Sequence, residues 1–377
     1  MEAAGAGADW ILAAGDDGRR LALLECSSGR SLGSLELPDA LAGAPAMARL
    51  GGEGPSGWRA FAIVGGRLAA FDLPSFRHAG SAATVPGASR LAASGPGADL
   101  VAVGGAGAEP LRIHDARTLA TVHRYLPDSP ARVGALASVP GRASFLAGFA
   151  EQAAAPETWE LALASDAPPV LKGLVHDYRM GEAVALPGRF TPRVAPVASH
   201  TAGLLAGPAP YEWLRIDTAG RVSVLHLEVR REIARLPEPR EPWLAAAWRG
   251  ETARGWLVGV RDDAQLMRFE SGSWRLTPPA QLPGSLLALL PLGAGVVSTA
   301  GSSAGSSAGS SARAAAALRV DGGVALAVVD GASLAAKARP RVEAAPEGVA
   351  LRASADGRCV AMIDGSGRWL DAVRAAE

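Results

Sequence analysis

The chain has 377 residues, with 37 basic and 37 acidic side chains and a formal net charge of zero. That balance excludes the basic surface of a nucleic-acid binder and the acidic excess of a disordered chain. Apolar residues make up 49% of the chain, enough for a continuous core, while 46 glycines and 27 prolines argue against long helices.

The first ten residues have neither a basic n-region nor an apolar run, so no signal peptide is expected. From Trp10 onward short apolar runs alternate with tight turns. A run over residues 10–14 leads to the Asp17-Gly18 turn, and a second run ends on Glu25. The same grammar recurs at residues 60–64, Gly65-Gly66 and Asp72. It recurs again at Ala219-Gly220 before Glu228, Asp321-Gly322 before Asp330, and Asp364-Gly365 before Asp371. In each turn a glycine supplies the positive φ of a two-residue hairpin. After the acid a small or polar residue is followed by Leu or Phe, as in Ser75-Phe76, Thr118-Leu119 and Ser333-Leu334. These pairs are read as opening the next strand.

Eight acids mark the repeat: Glu25, Asp72, Asp115, Glu160, Glu228, Glu270, Asp330 and Asp371. Five of the intervals between them run from 41 to 47 residues, and the other two are 68 and 60. A period of roughly 40–45 residues is that of a four-stranded propeller blade. The expected fold is therefore all-β: one eight-bladed β-propeller over residues 1–377, with four-stranded antiparallel blades and an imperfect last blade. Insertion loops are expected at about 170–195 and 298–313. The second of these is a Gly/Ser/Ala tract.

Cys26 and Cys359 stand at opposite ends of the chain and belong to no CxxC or CxxCH motif. Two buried free thiols are expected, with a disulfide closing the ring as the alternative. The longest apolar stretch, residues 286–297, is broken by Pro291, Gly293 and Gly295 and is too short to span a bilayer, so no membrane span is expected.

The most specific segment is Leu174-Val-His-Asp-Tyr-Arg-Met-Gly-Glu182, followed by Pro187-Gly-Arg-Phe190 and Pro192-Arg193. Together with Phe71-Asp-Leu-Pro-Ser-Phe76, Asp115-Ala-Arg-Thr-Leu119 and Thr158-Trp-Glu-Leu161, it resembles the cytochrome d1 propeller family over residues 55–235. That family includes the haem d1 domain of cytochrome cd1 nitrite reductase and the propellers of haem d1 assembly. The segment is most similar to the dihydro-haem d1 dehydrogenase type.

The resemblance implies haem d1 as cofactor, and binding, maturation or delivery of haem d1 or its precursor for denitrification. The implied partners are nitrite reductase or a c-type cytochrome. If the chain is an enzyme, it is an oxidoreductase acting on a haem d1 precursor. Relatives are largely periplasmic, whereas this sequence carries no export signal, so compartment stays open. His176 and Tyr178 are the candidates for acid–base chemistry at the ring edge. Arg179, Arg189 and Arg193 are the candidates for tetrapyrrole carboxylates, and His200 is the candidate iron ligand. No histidine follows His226, so the donors that relatives carry on later blades are missing. The alternative is a non-catalytic propeller that serves as a protein-interaction platform.

Overall fold

The structure is a computed structural model. It describes residues 9–51, 57–95, 97–139, 141–152, 155–172, 184–236, 243–250, 252–292, 313–345, 347–355 and 358–375. Every described strand is antiparallel to its neighbour, and no helix occurs among the described residues. Eight sheets stand in a ring, as the repeat predicts. Apart from the first and last, each sheet is a meander of four strands running outward from the axis. A short strand, Ala106–Gly107, adds a fifth to the inner edge of the fourth sheet.

The inner strands of the second to eighth blades are Ala46–Arg49, Arg90–Ala93, Ala131–Val139, Thr201–Ala206, Trp243–Arg249, Ser285–Leu292 and Ala350–Ala353. Each packs against the next around the ring. Alanine is a helix former by propensity, yet here it fills the core between sheets. Ala314, Ala315, Ala316 and Ala317 of the seventh blade are all fully buried. Alternate residues point to opposite faces of a strand. Ala314 and Ala316 accordingly join the cluster shared with the sixth blade, and Ala315 and Ala317 the cluster shared with the eighth. A small side chain on both faces suits a blade sandwiched on both sides, so burial overrides propensity.

One turn geometry recurs where the third strand passes to the outer strand. The N–H of Leu119 donates to the carbonyl of Asp115 at 2.9 Å, and Leu334 repeats this on Asp330, Trp274 on Glu270 and Gly29 on Glu25. The closing residue has positive φ: 59° at Leu119, 61° at Leu334, 54° at Trp274, 53° at Phe76 and 70° at Gly29. The acid fixes the turn. Asp115 Oδ1 accepts from the N–H groups of Arg117 and Thr118, and Asp330 Oδ1 accepts from those of Ala332 and Ser333. Leu119 and Leu334 therefore close the turn and drop into the core; the following strand begins later, as at Thr121.

This geometry corrects three of the eight marker acids. In the fourth blade the turn is closed by Phe190 on Ala162, with φ 63° and an N–H···O distance of 2.9 Å. The strand exit is thus Ala162, two residues beyond Glu160. In the fifth blade Arg230 is the positive-φ residue, at 53°. The exit there is His226, whose Nδ1 accepts from the N–H of Val229 at 3.4 Å; Glu228 lies inside the turn. In the eighth blade Asp371 sits mid-strand in Trp369–Arg374. All three displaced acids meet an arginine, Glu160 and Glu228 on Arg142 and Asp371 on Arg339, as the exit acids Glu25, Asp72 and Glu270 also do. Spacing alone finds an acid near each exit but does not separate a turn-capping acid from an ion-pair partner.

The first and eighth sheets have three described strands each. Trp10–Ala14, Arg20–Glu25 and Ser31–Glu36 fill the second, third and outer positions of the first blade, and Ala350–Ala353, Cys359–Ile363 and Trp369–Arg374 fill the inner three of the eighth. Among the described residues the last blade has no outer strand, in line with the expected imperfection. The free-thiol expectation is not met: Cys26 and Cys359 form a disulfide with a Cα–Cα distance of 6.2 Å. The ring brings the two chain ends within bonding reach, a proximity that sequence separation hides.

Candidate functional site

In an antiparallel meander, alternate connections lie at opposite ends of the strands. The acid-marked turns and the inner-to-second turns share one rim of the ring, and the two-residue hairpins and the outer-to-inner corners share the other. This divides the candidate residues. Arg189 and Arg193 belong to the acid-turn rim of the fourth blade. His200 lies at the opposite rim, in the corner between Pro192–Pro196 and Thr201–Ala206. His176, Tyr178 and Arg179 lie outside the described residues, as do residues 298–312.

The turn of the fourth blade runs from Leu163 to Arg189, where its counterpart in the third blade takes only 116–118. Within it Val170–Lys172 pairs with Val184–Leu186, and Lys172 stands opposite Val184. Its base is held by aromatic packing. Tyr125 donates its hydroxyl hydrogen to the Phe190 carbonyl at 2.7 Å. His123 stacks on the Phe190 ring at 5.3 Å, and the Arg189 guanidinium lies 4.5 Å from the same ring. Arg189 Nε also donates to the Leu163 carbonyl at 3.0 Å. Burial pushes the Tyr125 phenol above its ordinary pKa and pulls the His123 imidazole below its own. Arg189 is thus committed to holding the two ends of the insertion together.

Arg193 lies on the outer strand of the fourth blade, opposite Glu160. Its Nη2 donates to the Pro168 carbonyl at 3.1 Å. Beside it is a cleft of about 300 Å³ between the fourth and fifth blades, lined by Arg142, Arg193, Arg230, Glu160 and Glu228. Arg142 serves both carboxylates, at 2.8 Å from Glu160 and 3.6 Å from Glu228. Arg193 and Arg230 have no carboxylate partner among the described residues. The cleft therefore carries surplus positive charge next to the insertion, suited to an anionic group.

His200 Nε2 lies 3.2 Å from the Gln152 carbonyl, so this nitrogen carries the hydrogen and donates it. None of the five described histidines lies on an inner strand: His78, His123 and the preceding-strand pair His114 and His226 are on outer and third strands, and His200 precedes an inner one. Among the described residues, no imidazole is placed on the channel wall to ligate iron. Sequence reasoning missed Tyr125, Arg142 and Arg230. Only Arg230 left a signal, four residues after the exit of its strand, and that signal is readable only once His226 is known to fill the acid's place.

No protein-family model matches the chain, and no curated protein matches it. Solved structures share the fold. The chain is similar to the dihydro-heme d1 dehydrogenase NirN in complex with DHE, with a TM-score of 0.65 and 16% identity over 98% of this chain and 76% of that one. It is also similar to BamB from Moraxella catarrhalis, with a TM-score of 0.58 and 13% identity over 96% and 91% of the two chains. U3-55K gives a TM-score of 0.51 and 12% identity over 82% and 85%. At such identities the likeness is one of fold.

Proposed function

We propose that this chain is a haem d1-related propeller that binds haem d1 or a precursor and passes it on in support of nitrite reductase. The observation that carries the reading is the segment Leu174–Glu182 with its family resemblance, rooted on a base fixed by Tyr125, Phe190 and Arg189. The NirN likeness supports it at the level of fold.

The described residues fit one part of such a ligand and not another. Arg193 and Arg230 would receive tetrapyrrole carboxylates. An axial imidazole is not among the described channel residues, and His200 Nε2 is engaged by Gln152. The reading is therefore binding and delivery through the macrocycle's edge, with no step assigned to iron. Spectrophotometric titration of the purified chain with haem d1 tests it. A saturable shift of the visible bands that weakens in an Arg193→Glu/Arg230→Glu variant is expected; an unperturbed spectrum sinks the reading.

A second reading, a non-catalytic interaction platform, is favoured by a specific observation. Leu171, Val184, Val194 and Val229 are exposed apolar side chains on and around the insertion. Tetrapyrrole-free capture of nitrite reductase or a c-type cytochrome by the purified chain would support this reading over the first.

A further inference from the structure

We propose that the ring is closed covalently by the Cys26–Cys359 disulfide and that reduction of this bond opens the seam between the first and eighth blades. The inference is independent of the tetrapyrrole reading. At each other blade boundary the chain itself passes from an outer strand to the next inner strand. Here it does not, and among the described residues no sheet combines strands from the two ends of the chain. The bonded cysteines are 333 residues apart.

Among the described residues, three other hydrogen bonds are seen across the seam. Ala355 N–H donates to the Trp10 carbonyl at 3.0 Å, Trp369 Nε1 to the Cys26 carbonyl at 2.9 Å, and Arg374 Nη2 to Asp9 at 3.1 Å. An apolar cluster of Ile11, Ala13, Leu24 and Cys26 with Cys359, Ala361, Ile363 and Ala372 packs across the seam, and beside it a cleft of about 270 Å³ opens, lined by Ala13, Arg20, Leu24, Ser31, Ser366 and Trp369. Gly29 is required where the two sheets touch, since a Cβ there would stand 2.5 Å from the Trp369 ring. A cross-link over so long a loop removes much of the conformational freedom of the open chain.

The chemistry is thiol–disulfide exchange. A thiolate of a dithiol reductant attacks one sulfur and the S–S bond breaks. The second thiol of the reductant resolves the mixed disulfide. Two electrons and two protons pass to Cys26 and Cys359, and the reductant leaves as a disulfide. An oxidised dithiol reverses the sequence, so the closure belongs in a compartment where disulfides persist. Cys26 is fully buried and Cys359 is 1% exposed, so attack requires the seam to part first.

The test combines thiol counting with hydrogen exchange. The purified chain is expected to show no reactive thiol natively or in denaturant, and two after reduction in denaturant. Native reduction by dithiothreitol is expected to be at least tenfold slower than reduction in denaturant. After reduction, amide exchange should rise in Trp10–Ala14, Cys359–Ile363 and Trp369–Arg374, while Arg254–Val260 across the ring stays unchanged. A Cys26→Ser/Cys359→Ser variant should show the same local pattern; if it fails to fold, the reduced native protein supplies the reading. Two free thiols in air-equilibrated protein overturn the proposal. So does a thiophilic metal held by Asp9, Cys26 and Cys359, whose ligand atoms lie within 4.8 Å of one another. Equal exchange gains around the whole ring, or no gain at the seam, overturn it as well.

Discussion

Tyr125, on the outer strand of the third blade, donates its hydroxyl hydrogen to the backbone carbonyl of Phe190, 65 residues on, at 2.7 Å. The bond joins two blades and fixes the residue that closes the insertion. Both groups are buried, so deleting the hydroxyl leaves a carbonyl without a partner. Tyr125→Phe is expected to cost about 1–2 kcal/mol in urea unfolding. Amide exchange should accelerate in Val170–Lys172 and Val184–Leu186, with Arg313–Val320 unaffected. Unchanged exchange in the paired segments would show that the aromatic stack alone holds the base.

The cleft beside the insertion predicts a charge effect. Arg193 and Arg230 lack carboxylate partners among the described residues, whereas Arg142 is satisfied by Glu160 and Glu228. Reversing the two unpaired charges should weaken haem d1 binding by tenfold or more and flatten its salt dependence. Thermal stability should move by only about 1 kcal/mol, because Arg230 is exposed and half-buried Arg193 gives up one bond, to the Pro168 carbonyl. Arg142→Ala should do the reverse: it strips the partner from buried Glu160 and destabilises the fold. Measuring both affinity and melting separates the two roles.

His114 gives a pH dependence. It is fully buried, and its Nδ1 hydrogen reaches the Leu119 carbonyl at 3.0 Å. Burial, the largest cause, holds its pKa below 6.5; Arg112 and Arg124 push the same way, and Leu119 and Glu109 oppose. The folded form is therefore harder to protonate than the unfolded one. Below about pH 6.5 the unfolded chain binds the extra proton first, so the contribution of His114 to stability, full above that pH, falls as pH drops. Urea unfolding from pH 7.5 to 5 should show this loss, and His114→Asn, whose amide can keep the Leu119 bond, should reduce its slope. His123, shifted the same way by burial, leaves a residual slope.

What the sequence made legible was periodic. Strands ending at Glu25, Asp72, Asp115, Glu270 and Asp330 were readable because each ends on an acid at a similar offset from its hairpin, and at Asp115 and Asp330 that acid caps the next turn. The exits at Ala162 and His226 were not, because there the turn is held by a main-chain bond or an imidazole. The disulfide was readable only as an alternative, because ring closure is a property of the whole chain and not of any window of it. The site divided similarly. Arg193 was chosen for its charge and lies beside a charged cleft. Arg189 was chosen for the same reason and stacks on Phe190, since a guanidinium serves an aromatic face as well as an anion. His200 was chosen from a local string, and its corner lies on the opposite rim.

That corner rests on one buried ion pair. Arg215, 2% exposed, directs Nε and Nη2 at Glu232 Oε1 at 2.9 and 2.6 Å, and Nη1 at the Ser199 and His200 carbonyls at 2.7 and 3.3 Å. Burial raises the Glu232 pKa, but Ser223 and Arg215 outweigh it, and the carboxyl titrates below its ordinary value. Its contribution is present above about pH 4.5 and is lost as pH falls further. Arg215→Met removes the cation and leaves the carboxylate enclosed, so a loss of about 3–5 kcal/mol is expected in urea unfolding at pH 7. The Arg215→Met/Glu232→Leu double variant should recover most of it, because the stranded charge is gone. Freed of its carbonyl tether, His200 should also change its imidazole resonances and lose the bond to Gln152. A single variant as costly as the double would mean that packing, and not the ion pair, holds the corner.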